Sequence, residues 1–269
     1  MKFIAGIAVA ALALGAAMID GAKINWAASG KGEPAVVFVH GWTCDSSSWA
    51  RQVPAIARKY QAITIDLPGH GKSGSPKDGK FSMDLFAKAV EAVRREVKAD
   101  RIVLVGHSMG TPVIRQYARL FPQHVAALVL VDGTVVDAKS AARYAGVADR
   151  FKGPEAGKAR VEFIRGMLTP AATPELQAKI EKMMTGPPDA TAAGAMAAMA
   201  DPAIWTDEPI NVPVLGIYAD KSRLGNRELL SKIFPSIQYT EIPGTDHFLM
   251  LEKPEEFNRI LLDFLNKLQ

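Results

Sequence analysis

The sequence holds a single cysteine, Cys44, in 269 residues, so no intrachain disulfide can form. Its five histidines are His40, His70, His107, His124 and His247. None is paired with cysteines at metal-ligand spacing, which argues against a structural zinc site. Basic residues do not gather either. The runs of Lys and Arg go no further than pairs such as Arg94-Arg95, and the net charge is only +4. That balance serves solubility and gives no nucleic-acid-binding face. There is no internal repeat. Long apolar runs are also missing, with one exception: "FIAGIAVAALALGAAM", directly after Lys2.

That exception stands apart from the rest of the chain. A basic residue, a short apolar core and the small residues Gly15, Ala16 and Ala17 describe a secretory signal over residues 1–17, with cleavage expected after Ala17. The mature protein is then expected to be periplasmic or secreted, with no stable membrane insertion. The competing reading is an uncleaved anchor, for which the run is slightly short.

What remains is an ordinary globular composition, 48% hydrophobic and 22% charged. Its length suits one large domain carrying an insertion. Short apolar runs at 35–40, 61–66, 101–106, 127–132, 212–218 and 237–242 predict buried strands. Helical patterns lie between them at 47–59, 82–98, 110–121, 225–233 and 254–267. The alternation predicts an α/β fold: a mostly parallel, doubly wound sheet with helices on both faces. An antiparallel pair that includes residues 22–29 is expected before it. The alternation stops between Asp132 and Val212. The block 133–207 has helical composition and carries Met167, Met183, Met184, Met196 and Met199. It predicts a helical cap over the carboxyl ends of the strands, inserted between core segments 18–132 and 208–269. Simple helix packing accounts for the individual methionines equally well.

The chemistry-bearing stretch is "VLVGHSMGTP", residues 103–112. Gly106-His107-Ser108-Met109-Gly110 fits G-x-S-x-G between a strand and a helix, the context this motif requires. The glycines permit a turn too sharp for larger neighbours, which holds Ser108 over a helix N-terminus. Pro112 in the first turn costs no helical hydrogen bond. An isolated match of this kind could be a plain loop serine, but the surrounding α/β pattern argues against that.

Here the chain resembles the α/β-hydrolase superfamily, over about residues 20–269 apart from the cap. "VFVHGW" (37–42) is similar to its oxyanion loop. "DLPGHGKS" (66–73) resembles its glycine-rich turn, and "PGTDHFLMLEKPEEF" (243–257) resembles the segment that carries its histidine. The resemblance implies that Ser108 is the nucleophile and His247 the general base, with the backbone N–H groups of Trp42 and Met109 forming the oxyanion hole. His40 and His70 sit in glycine turns and read as structural. His107 should point away from the hydroxyl, and His124 should be exposed.

The acid departs from the family pattern. After the strand at 212–218 the chain reads Ala219, Asp220, Lys221, Ser222, with serine where the acid usually stands. Asp132, at the end of the strand at 127–132, is favoured. Some branches of the family carry their acid there. Asp220, two residues early, stays open as the alternative. Asp246 ranks last, because side chains of adjacent residues in an extended loop diverge.

The expected function is a serine hydrolase acting on a carboxylic ester, thioester or lactone with an apolar acyl group. No cofactor or metal is implied. Serine at the turn argues against dehalogenase or epoxide hydrolase chemistry, which uses aspartate there. Carbon–carbon bond cleavage by the same triad, or a non-catalytic small-molecule-binding member of the fold, are the competing readings. Cys44 reads as a small buried apolar residue.

Overall fold

A computed structural model describes residues 12–168 and 171–268. Eight strands form one sheet: β1 (Leu12–Ile19), β2 (Ala22–Ser29), β3 (Ala35–Val39), β4 (Ala62–Ile65), β5 (Ile102–His107), β6 (Val125–Val131), β7 (Val214–Ala219) and β8 (Ile237–Ile242). Their order is β1-β2-β4-β3-β5-β6-β7-β8. β1 runs antiparallel to β2, and β2 to β4, while β3 to β8 are parallel. The central strands are Val- and Leu-rich and buried along their whole length in β3, β5 and β7. A sheet buried on both faces needs helices on both.

The helices are α1 (Val53–Ile56), α2 (Met83–Glu96), α3 (Gly110–Leu120), α4 (Ala138–Ala141), α5 (Arg143–Arg150), α6 (Ala156–Arg165), α7 (Pro174–Met184), α8 (Asp189–Ala198), α9 (Arg227–Ile233), α10 (Leu249–Glu252) and α11 (Pro254–Asn266). The last helix, α11, carries Phe257, Ile260, Leu261, Phe264 and Leu265 at the helical spacing its sequence predicts, and all but the half-buried Ile260 are buried. Among the described residues, no helix is long and apolar enough to cross a membrane.

Two segments differ from the sequence-based expectation. The helix expected over 47–59 is instead a 3₁₀ turn at Ser46–Trp49 followed by the single turn α1. Asp45 starts the first turn by accepting from Ser47 N–H (2.8 Å). Pro54 lacks the N–H that a continuous helix would need at that point. Gln52, between the two turns, is buried and donates to the Met250 carbonyl (2.8 Å). The second is where the sheet begins, at residue 12 rather than at residue 18, the expected start of the core. Residues 1–11 lie outside the described residues, but residues 12–17 belong to β1, paired in register with β2 from Leu12↔Ser29 to Ile19↔Ala22. Alternation gives Ala17 a buried place (2% exposed), while Leu12, Leu14 and Met18 face outward.

Helices α5 to α8 share a cavity of about 740 Å³ with the carboxyl ends of β5, β6 and β7. The sheet therefore delivers its strand-end loops beneath a helical roof.

Candidate active site

Ser108 lies between β5 and α3 with φ +52°, a left-handed conformation unusual for a residue with a side chain. The turn is too tight for side chains on either side. A Cβ on Gly106 would meet the Gly110 carbonyl oxygen at 2.5 Å, and one on Gly110 would meet that of Val39 at 2.5 Å. Hydrogen bonds hold the strained residue in place. Ser108 N–H donates to Val131 O (3.0 Å), and Ser108 O accepts from Thr111 N–H (3.0 Å) and Thr134 N–H (3.3 Å). Its neighbours thus fix the backbone and leave the hydroxyl on the cavity wall.

His247, in the loop between β8 and α10, lines the same cavity. Its Nδ1–H donates to Asp132 Oδ2 at 2.7 Å. That bond fixes the tautomer and leaves Nε2 as the basic nitrogen. Asp132 follows β6, is 3% exposed and adopts φ +40°. Burial opposes its ionisation. The hydrogen bond and charge of His247, a hydrogen bond from the Ser222 hydroxyl and the Ala219 N–H outweigh that and hold its carboxyl below the ordinary range. The Ala219 bond is 3.2 Å long.

Of the two acids weighed from sequence, only Asp132 touches the imidazole. Asp220 is exposed and lies beside the amides of Gly244 and Thr245 at the base of the histidine loop. These amides, chiefly that of Gly244, hold its pKa down. Asp246 lines the cavity, and burial raises its carboxyl.

The loop carrying Trp42 lies against the serine, since a Cβ on Gly41 would come within 3.2 Å of Ser108 Cβ. Trp42 and Met109 both line the cavity. No backbone hydrogen bond from either amide occurs among the described residues, which suits donors kept for a developing oxyanion. The Trp42 ring is tied to the cap. Its Nε1–H donates to Ala192 O (2.8 Å), and it stacks on Phe151 at 4.9 Å.

The remaining histidines divide by role. His40 is fully buried, donates from Nδ1 to Gly41 O (2.8 Å) and accepts at Nε2 from Leu67 N–H (3.0 Å). It joins the oxyanion loop to the segment after β4, and burial depresses its pKa. His70 donates to Pro68 O (2.9 Å) and is brought down to about 3, chiefly by burial. Neither of them lines the cavity. His124 is half-buried, not exposed, and its Nδ1 donates to Asp100 O (2.9 Å).

Sequence reasoning missed three supports. His107 Nε2–H donates to the backbone carbonyl of His247 (2.7 Å), and burial pulls its pKa to about 3, so the ring stays a neutral prop. Glu252 Oε2 accepts from Asp246 N–H (2.6 Å), one residue before the base. Ser222, at the place where the family pattern leads one to expect the acid, lies near enough to Asp132 to help hold its carboxyl down. Cys44 is both buried and a wall of the cavity, and burial pushes its thiol up to about 12. Met167, Met184, Met196 and Met199 line the cavity. Met183 instead accepts from the hydroxyls of Ser47 (3.6 Å) and Ser48 (3.4 Å).

Comparison with known proteins agrees with this geometry. Residues 34–254 match the alpha/beta hydrolase fold family. A Haemophilus influenzae protein whose esterase/lipase assignment is itself provisional is 27% identical over 246 residues, 87% of this chain and 84% of that one. A shorter match is the dihydrolipoyllysine-residue acetyltransferase component of the acetoin cleaving system of Cupriavidus necator. It is 35% identical over 127 residues, 47% of this chain and 34% of that one. The chain spans about a third of the length of the first curated relatives it matches. Among solved structures, Est816, an N-acyl homoserine lactone degrading enzyme, superposes with a TM-score of 0.80 at 25% identity, covering 93% of this chain and 100% of that one. A thermophilic esterase from Thermogutta terrifontis gives 0.82 at 24% identity, covering 95% and 99%. The family match takes in the serine turn, Asp132 and His247 together, and the chain belongs to the α/β-hydrolase fold family.

Proposed function

We propose that this protein is a serine hydrolase that cleaves a carboxylic ester, thioester or lactone with an apolar acyl group. One observation carries the reading: the buried Asp132–His247 pair, at 2.7 Å, lines a single cavity with a serine held at positive φ. Relatives with esterase and lactone-degrading assignments support it.

In this mechanism Asp132 holds the Nδ1 proton, so His247 Nε2 accepts the Ser108 hydroxyl proton as Oγ adds to the carbonyl carbon. The carbonyl oxygen becomes an oxyanion facing the amides of Trp42 and Met109. Collapse breaks the bond to the leaving oxygen or sulfur, and Nε2 returns its proton to that atom. Water then adds to the acyl carbon, giving its proton to Nε2, and Ser108 regains a proton as the acid departs. Asp132 stays ionised throughout and stabilises the imidazolium.

A fluorophosphonate probe should label the folded protein stoichiometrically, and Ser108→Ala should abolish labelling. Turnover of p-nitrophenyl esters of increasing chain length, with lactones in parallel, sets the acyl preference. Asp132→Asn should lower kcat by about three to four orders of magnitude, while Asp220→Asn stays within about tenfold, because it touches only the loop backbone. An unlabelled folded protein, or a larger loss in Asp220→Asn than in Asp132→Asn, overturns the assignment.

A further inference from the structure

The cavity is chemically divided. Its deep side is made of Met184, Met196 and Met199, at 2%, 3% and 3% exposure. Its exposed rim carries three cations on two segments: Arg143, the first residue of α5, and Lys221 and Arg223, in the loop after β7. Lys221 sits in the field of Asp220 and Asp246. The two arginines have no carboxylate within ion-pair distance among the described residues. Arg143 only stacks on Tyr144, at 5.0 Å, and donates to its hydroxyl (3.1 Å). Both arginines also line a small recess of about 160 Å³ beside the main cavity, with Ser140 and Asn226. The one carboxylate in that recess, Asp137, is engaged by the N–H (2.8 Å) and hydroxyl (2.7 Å) of Ser140.

Two guanidinium groups facing one opening, one on the cap and one on the core, form a fork suited to a planar anion. The apolar depth suits the acyl chain, so a leaving group projects toward the rim. We propose that the preferred substrate carries a carboxylate on its leaving-group side, bound between Arg143 and Arg223. This deepens the serine-hydrolase reading and rests on it for the turnover arm. Binding the anion would also tie cap to core across the mouth.

The test compares the butanoyl ester of 3-hydroxybenzoate with the butanoyl ester of methyl 3-hydroxybenzoate, which removes the charge and keeps the aryl leaving group. At low ionic strength, about 20 mM, the charged ester should have kcat/KM about tenfold higher, mainly through KM, and the advantage should shrink with added salt. Arg143→Gln/Arg223→Gln should erase the preference and leave the neutral ester within about twofold. A second arm uses Ser108→Ala, in which binding of 3-hydroxybenzoate itself should exceed that of its methyl ester and fall about tenfold on the arginine replacements. That arm reads the anion site without chemistry. No turnover of either ester, with arginine-dependent binding intact, sinks the hydrolase reading but upholds the anion site. Equal treatment of charged and neutral compounds, or a preference that survives the double replacement, overturns the proposal. So does a preference seen only when the carboxylate is moved to the acyl side, as in an aryl hemisuccinate.

Discussion

At the residue scale the proposed nucleophile and base are legible, because a strained turn and a loop histidine both leave local sequence marks. The acid was legible only as a choice between Asp132 and Asp220. What separates them is tertiary: β6 ends beside the histidine loop and Asp132 bonds to His247, whereas Asp220 lies exposed beside the amides of 244 and 245. Ser222 shows the same limit, since nothing in the sequence says that its hydroxyl reaches Asp132. Its Oγ also accepts from Leu224 N–H (3.1 Å), which orients it. Ser222→Ala removes a hydroxyl that helps keep a buried carboxylate ionised, a loss of about 1.5 kcal/mol. It should lower kcat/KM by about tenfold. Ser222→Thr keeps the hydroxyl and should recover most of that. Equal losses in the two variants would mean that residue 222 acts through packing. Cys44 gives a second prediction. A thiol pushed up to about 12 by burial is almost wholly protonated at pH 8. Iodoacetamide at that pH should therefore leave both the mass and the activity of the native protein unchanged, although Cys44 borders the cavity. Rapid alkylation with loss of activity would contradict this account.

At the scale of elements, period and composition located the strands β2 to β8 to within a few residues and the helices α2, α3, α9 and α11 closely. They are ambiguous where two physical uses share one composition. A run of small apolar residues reads as an export signal, and the same residues 12–19 pair along their whole length with β2. Cleavage after Ala17 would cut between two paired positions, Ala17↔Ile24 and Met18↔Lys23. It would make β2 the sheet edge and uncover the site of buried Ala17. Losing several cross-strand pairs costs about 2 kcal/mol, which in a domain of this size lowers Tm by about 4–8 °C. A chain beginning at Met18 should melt that much below one beginning at Leu12, by calorimetry. Equal melting would show that β1 contributes nothing to the fold. On the leader sequence we propose export to the periplasm or the medium. The intact mass of protein recovered from each compartment reports directly whether Ala17 is the last residue removed.

At the scale of the whole molecule, strand–helix alternation foretold the layered sheet, because burial on both faces forces continuous apolar runs. It could not foretell which polar groups the packing would swallow. His40, His70 and His107 are all fully buried. They were read from sequence as turn residues, since a histidine's burial depends on neighbours far away in the chain. Their burial has a consequence for acid stability. Burial lowers the pKa of all three and brings His70 and His107 to about 3, so the folded protein keeps those two neutral well below pH 6. The unfolded chain protonates them near their ordinary value, about 6.5. Their contribution to stability is therefore complete above about pH 6.5 and falls as pH drops toward the folded values, because only the unfolded state gains protons. His70 and His107 each contribute a slope of about 1.4 kcal/mol per pH unit, about 3 together, and His40 adds to it in the same direction. Asp132 and Glu91, both held below their ordinary range, add their own loss only at lower pH, as the unfolded carboxyls protonate. Asp246 and Glu252 are raised, chiefly by burial, and act in the opposite sense. They favour the folded state as pH falls through their raised values, and so soften the slope without reversing it. Urea midpoints should hold steady from pH 8 to 7 and then drop steeply between about 6.5 and 4.5. His70→Asn keeps a donor for Pro68 O but cannot titrate, so it should remove about a third to a half of that slope whatever it does to absolute stability. A midpoint unchanged between pH 7.5 and 5, or a slope identical in His70→Asn, would mean that these rings already carry protons, or reach water, in the folded protein.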